Sequence, residues 1–119
     1  MPTLVLIVDD DQTFRALARR MLAAYDDIVV LEAGRVADAL STAHRDKPSA
    51  ALVDVGLPDG DGFALAKELT ALPWHPRVVV TSVERNGGRE HEVRLSGAEA
   101  FVHKADLPGA PLGELLGIE

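Results

Sequence analysis

The chain contains no cysteine, which removes a disulfide framework, a thiol nucleophile and a zinc ribbon together. That composition is compatible with a reducing cytoplasm, and a cytoplasmic location is the expectation. Basic residues are also scarce: 12 Lys and Arg stand against 19 Asp and Glu, a formal charge of −7. A direct nucleic-acid partner, which demands a basic face, is therefore not expected. No apolar run approaches the roughly 20 residues of a membrane span, so no membrane partner is expected either. The opening Met1-Pro2-Thr3, followed by an apolar run and three acids, lacks the basic start and longer apolar stretch of a secretory signal. There is no internal repeat, low-complexity tract or linker, and no G-x-G-x-x-G or G-x-x-x-x-G-K-[ST] loop follows a strand. At 119 residues the chain has room for one core, and residues 1–119 are read as one domain.

What is present is a set of apolar, strand-like runs that each end in a chemically capable residue. Leu4 to Val8 runs into Asp9-Asp10-Asp11, Ala50 to Val53 into Asp54, Val78 to Val80 into Thr81-Ser82, and Phe101-Val102-His103 into Lys104. Ligands of an open parallel sheet sit outside the carboxyl ends of its strands, so these endings imply one site built from four distant segments. Helical periodicity fills the gaps. Phe14, Leu17, Ala18, Met21, Leu22 and Tyr25 share one face, Val36, Ala39, Leu40 and Ala43 another, and Phe63, Ala66, Leu69 and Leu72 a third. The third helix is expected to open at Asp59 or Asp61 and to stop before Pro73. A short, weakly amphipathic helix is expected within residues 84–97, after Asn86-Gly87-Gly88, and a last one near Pro111. With Ile28 to Leu31 as a further strand the order is βαβαβαβαβα. Uniformly apolar strands suit a parallel sheet covered on both faces, so the fold class is α/β, a five-stranded sandwich.

Asp9, Asp10 and Asp54 brought together would repel one another, so either a pKa rises or a cation neutralises them. An all-oxygen cluster favours a hard divalent ion, and Mg²⁺ in particular leaves positions open for phosphate oxygens. An ammonium from Lys104 and a hydroxyl from Thr81 can pair with a phosphoryl group delivered to a carboxylate nucleophile. Asp11 reads as a helix cap or a solvated acid. His44, His75, His91 and His103 lack metal-ligand spacing and read as surface residues, while Pro58 and Gly62 read as backbone-shaping positions.

These four motifs, in this order and spacing, together with Val53-Asp54-Val55-Gly56-Leu57-Pro58-Asp59-Gly60-Asp61-Gly62, resemble a response-regulator receiver domain across essentially the whole chain. The resemblance implies a doubly wound (βα)₅ sheet of flavodoxin-like order 2-1-3-4-5. It implies that Asp10, Asp54 and the backbone carbonyl of Gly56 bind Mg²⁺ (or Mn²⁺), with Asp9 acting through a water. Asp54 would take phosphate from the phosphohistidine of a histidine kinase or phosphotransfer protein, Thr81 and Lys104 would hold the acquired group, and Phe101 would read the switch. Such a domain is not a dedicated enzyme, since it catalyses only its own phosphorylation and dephosphorylation. Its expected output is the face of the fourth helix, fifth strand and fifth helix, offered to an effector protein or a second copy.

Four positions depart from the family pattern. Ala105 replaces the proline that usually follows the lysine through a cis bond, which for a non-proline residue costs about 2.5–4 kcal/mol. Phe101 stands where tyrosine is common. Gly56 and Val83 offer no polar side chain to orient an attacking water. Two rival readings fit less well. A flavodoxin-like electron carrier would place a flavin phosphate against Asp9-Asp10-Asp11, and a nucleotide-binding enzyme lacks its loop. A receiver-like interaction module working without phosphorylation is the nearer alternative.

Overall fold

The computed structural model describes residues 2–84 and 90–118. Five parallel strands, β1 (Thr3–Val8), β2 (Ile28–Ala33), β3 (Ala50–Asp54), β4 (Arg77–Ser82) and β5 (Ala100–His103), form one sheet in the order β2-β1-β3-β4-β5. Helices α1 (Gln12–Leu22), α2 (Val36–Asp46), α3 (Gly62–Thr70), α4 (Glu90–Ser96) and α5 (Leu112–Leu116) connect and cover them. The expected α/β class and 2-1-3-4-5 order are those observed. Because side chains alternate across a strand, Leu6, Val8, Ala51, Val53, Val78 and Val80 face α2 and α3, while Val5, Ile7, Ala50, Leu52 and Val79 face α1 and α5. Each layer is a separate apolar cluster, and the sheet divides them.

Uniform burial holds for β3 and for the last four residues of β1, but not for every strand. In β2, at one edge of the sheet, only Ala33 is buried, and β5, at the other edge, is half-buried throughout. The helix faces are narrower than their periodicity suggests. Phe14, Ala18 and Leu22 are buried on α1, whereas Leu17 is exposed and Tyr25 lies past the helix end. Tyr25 still contributes: its hydroxyl accepts a hydrogen bond from Gly113 N–H at 3.0 Å and so tethers α5.

The two candidate caps of α3 divide their work. Asp61 caps α3 itself, accepting from Phe63 N–H at 3.1 Å. Asp59 instead reaches across to α2, whose own N-cap, Arg35, makes no capping bond, and accepts from Val36 N–H (2.7 Å) and Ala37 N–H (3.1 Å). Asp11 is the N-cap of α1, accepting from Thr13 N–H at 2.9 Å. Leu72 falls beyond the end of α3. The short helix α4 is present and ends at Gly97, which takes φ +78°, a left-handed conformation natural to glycine. Asn86-Gly87-Gly88 and Arg89 lie outside the described residues. Pro111 is the N-cap of α5, and an unanticipated 3₁₀ segment, Lys104–Gly109, precedes it.

At the opposite end of the sheet from the strand carboxyl termini, the indole of Trp74 donates to the Pro48 carbonyl at 2.9 Å with Lys47 Nζ 5.9 Å from its ring. No helix among the described residues is long and apolar enough to cross a membrane.

Candidate functional site

All four strand endings converge at one edge. Asp9 follows β1, Asp54 closes β3, Thr81 sits near the end of β4 and Lys104 follows β5. Parallel register aligns them, with Asp54 paired to Thr81 and Thr81 to Val102. An open cleft of about 440 Å³ lies over them, lined by Asp9, Asp10, Asp54, Gly56, Ser82, Val83 and Lys104 among others.

The acids differ in their surroundings. Asp9 is fully buried and heavily committed: Oδ1 accepts from Asp11 N–H at 2.9 Å, and its backbone carbonyl accepts from Arg15 Nη1 at 2.6 Å. Among the described residues Asp9 Oδ2 makes no regular hydrogen bond and is met only by the Lys104 ammonium at 2.6 Å. Asp10 is exposed. Asp54 is buried and stands 3.7 Å from Lys104 Nζ. Burial, followed by the charge of Asp9, pushes the Asp54 carboxyl up from 3.8 to about 6, against the opposing pull of Lys104. Lys104 itself is held on three sides, by Asp9, by Asp54 and by the ring of Phe14 with its centroid 4.2 Å away.

One carboxylate oxygen from each of Asp9, Asp10 and Asp54 lies within 4.8 Å of the others. Three hard oxygen donors with no sulfur or imidazole among them suit a small divalent cation. Gly56 is exposed at the rim, and a Cβ there would meet nothing within 4 Å. Gly62 is under the opposite constraint. A Cβ would stand 2.1 Å from the Asp54 carbonyl oxygen, so only glycine lets α3 start against the backbone of the buried acid.

Thr81 and Phe101 do not face the cleft in this arrangement. The fully buried Thr81 hydroxyl donates to the Val102 carbonyl at 2.7 Å, and it is the neighbouring Ser82 that lines the cleft. Phe101 is half-buried and stacks on Phe63, with centroids 6.4 Å apart and planes at 19°. All described peptide bonds are trans, the Lys104–Ala105 bond included, and Lys104 still reaches both acids.

Two contributors were not read from the sequence. Arg15, on α1, fixes the Asp9 backbone while its Nε binds Glu32 at 2.9 Å; a lone arginine in a surface helix gives no hint of this. His103, expected to be a surface residue, is half-buried and hydrogen-bonded on both ring nitrogens. Its position directly before Lys104 was the available signal.

Comparison with known proteins agrees with this geometry. The response regulator receiver domain family matches residues 5–108. The chain is 32% identical over 109 residues to the DNA-binding transcriptional activator DevR/DosR of Mycobacterium tuberculosis, covering 91% of this chain and 50% of that protein. It is 36% identical over 102 residues to the KDP operon transcriptional regulatory protein KdpE of Escherichia coli, covering 86% and 44%. The chain thus spans half or less of these curated relatives. A CheY-like response regulator receiver domain protein from Methanospirillum hungatei superposes with a TM-score of 0.81 at 21% identity, over 97% of this chain and 94% of that one. The order of the sheet, the acids at its carboxyl edge and a sequence match over most of its length make this chain a member of the response-regulator receiver family of two-component systems.

Proposed function

We propose that Asp54 is a phosphoacceptor, taking a phosphoryl group from the phosphohistidine of a histidine kinase or phosphotransfer protein. The observation that carries this reading is the position of Asp54, buried at the floor of an open cleft with Lys104 and two further acids around it. An Asp54 oxygen attacks phosphorus, forming an acyl-phosphate as the P–N bond breaks and its electron pair returns to the donor imidazole. Lys104, 3.7 Å away, is placed to pair with a phosphoryl oxygen, and the Thr81 hydroxyl can do so by leaving the Val102 carbonyl. Asp9, Asp10, Asp54 and the Gly56 carbonyl would hold Mg²⁺ or Mn²⁺. The ion supplies charge neutralisation at the acids and on the phosphoryl oxygens.

Adding close to −2 charge at Asp54 draws Thr81 toward it and opens space beside Phe101. The output is then read on α4, β5 and α5 by an effector or a second copy, and there Leu95 (63% exposed) on α4 gives apolar contact. The domain's setting is the cytoplasm, where phosphodonor kinases present their histidines.

One observation favours a second reading, a receiver-like interaction module that works without phosphate. In the structure the Thr81 hydroxyl and the Lys104 ammonium already have partners, so neither needs a phosphoryl group to be satisfied. Incubation with acetyl phosphate and Mg²⁺ followed by intact-mass measurement separates the two. A single phosphoryl adduct that requires the divalent ion and is absent from Asp54→Asn supports the phosphoacceptor; an unmodified wild-type protein supports the module.

A further inference from the structure

The last residue of β5 reaches back over the end of β4. His103 Nε2 lies 2.6 Å from the carbonyl oxygen of Val83, and His103 Nδ1 lies 3.1 Å from the backbone N–H of Ala105. The amide can only donate and the carbonyl can only accept, so both contacts are made together by the neutral ring with its proton on Nε2. Ala105 sets this tautomer, and a proline at that position would have no N–H to offer. The parallel ladder between β4 and β5 ends at the Ser82–His103 pair, so the imidazole continues by one step a pairing the backbone has abandoned. Thr81 makes the reciprocal stitch, its hydroxyl donating to the carbonyl of Val102.

Resting on the phosphoacceptor reading, we infer that His103 is a positioning residue that holds Val83, the residue directly after β4, in its resting place and so restrains phosphorylation of Asp54. Val83 is bound on the β5 side by the imidazole, and Glu84 N–H turns back to donate to Ser82 Oγ at 3.1 Å. Among the described residues nothing comparable holds Val83 or Glu84 to the Asp54 side chain, although Ser82 and Val83 line the cleft above that carboxylate. Moving Thr81 toward a phosphoryl oxygen carries Ser82 and Val83 with it. The Val83 carbonyl must then leave the imidazole, and the resting state is favoured by about the net worth of one side-chain hydrogen bond, roughly a fivefold population ratio. His103 touches neither the donor nor the acceptor and acts only through Val83.

His103→Asn keeps an acceptor near the Nδ1 position and loses the reach to Val83; His103→Gln keeps a donor near the Nε2 position. With acetyl phosphate and Mg²⁺, His103→Asn should label about fivefold faster than wild type and His103→Gln close to the wild-type rate. A merely structural role would slow both or leave both unchanged, and either result overturns the inference. In unphosphorylated protein, ¹⁵N spectra should show the proton on Nε2, and the Val83 and Glu84 amides should exchange several-fold faster in His103→Asn. A proton on Nδ1, or unchanged exchange, removes the tether itself. If wild type takes no label, the phosphoacceptor reading fails and the claim that His103 tunes it fails too; the exchange measurement then judges the tether alone.

Discussion

Strands β1 and β3, which lead into Asp9 and end in Asp54, lie inside the sheet with covering layers on both faces, whereas β5, which carries Phe101 and leads into Lys104, is half-buried along its whole length. The helices follow the same division. Helix α3 buries Phe63, Leu65, Ala66 and Leu69, but α4 buries only Ser96, and α5 is five residues long. On the phosphoacceptor reading, the acids of the site sit in the first region, and the face proposed to respond sits in the second. Response requires two arrangements close in free energy, which few apolar anchors permit. The carboxylate proposed as nucleophile requires the opposite.

The largest effect expected to sharpen this contrast comes from truncating matched leucines. Leu52→Ala opens a cavity in the middle of β3 and should cost about 2–5 kcal/mol, while Leu95→Ala on the exposed face of α4 should stay within about 0.5 kcal/mol. Urea unfolding midpoints at constant slope measure both. Comparable losses would break the contrast.

A second effect concerns the charge placed in the rigid half. The folded value of Asp54, about 6, lies above the ordinary 3.8, so the fold favours the neutral carboxyl. Its contribution is fully present below about pH 3.8 and is lost as pH rises through about 6. Without divalent ion, Asp54→Asn should therefore be more stable than wild type by about 1–3 kcal/mol at pH 7.5, with the gain vanishing near pH 4. Adding Mg²⁺ should narrow the gap by stabilising wild type alone. A pH-independent difference in chemical denaturation would show that Asp54 is not desolvated as described.

The smallest effect probes the responsive half. Tyr25→Phe leaves Gly113 N–H without its side-chain acceptor and should cost about 1 kcal/mol, seen as faster amide exchange in residues 112–118 with little change in β1 or β3. If α5 stays as protected as in wild type, it is anchored by Leu112 and Leu116 alone. A stable phosphoryl mimic should likewise change exchange most within residues 82–84 and 90–112. Changes concentrated in residues 13–45 would place the output elsewhere.

The site's frame was legible because strand ends are written locally: an apolar run followed by Asp9, Asp54 or Lys104 needs no tertiary information. The sheet order was not legible from periodicity and came with the resemblance. Side-chain to backbone bonds across strands were also hidden. The hydroxyl of Thr81 could be assigned a donor role from its type, but its partner, the Val102 carbonyl, depends on the register of β5. Asp59 looked like a cap for the helix that follows it, yet it serves α2, 23 residues earlier, because the loop after β3 passes that helix's open N-terminus. His103 was read by what it lacked, a metal-ligand spacing, and its two hydrogen bonds could not be inferred from that.

Trp74 is the only tryptophan in the chain, and it is bonded to the Pro48 carbonyl below the start of β3. The whole length of β3, roughly 13 Å from Ala50 to Asp54, lies between that contact and the acid. Fluorescence from this indole therefore senses the opposite pole of the sheet from the acids. It will follow global unfolding cleanly while staying dark to events confined to the cleft, which makes it an internal control for ion or phosphodonor titrations. A change in its emission on adding either would signal a rearrangement transmitted through the length of β3.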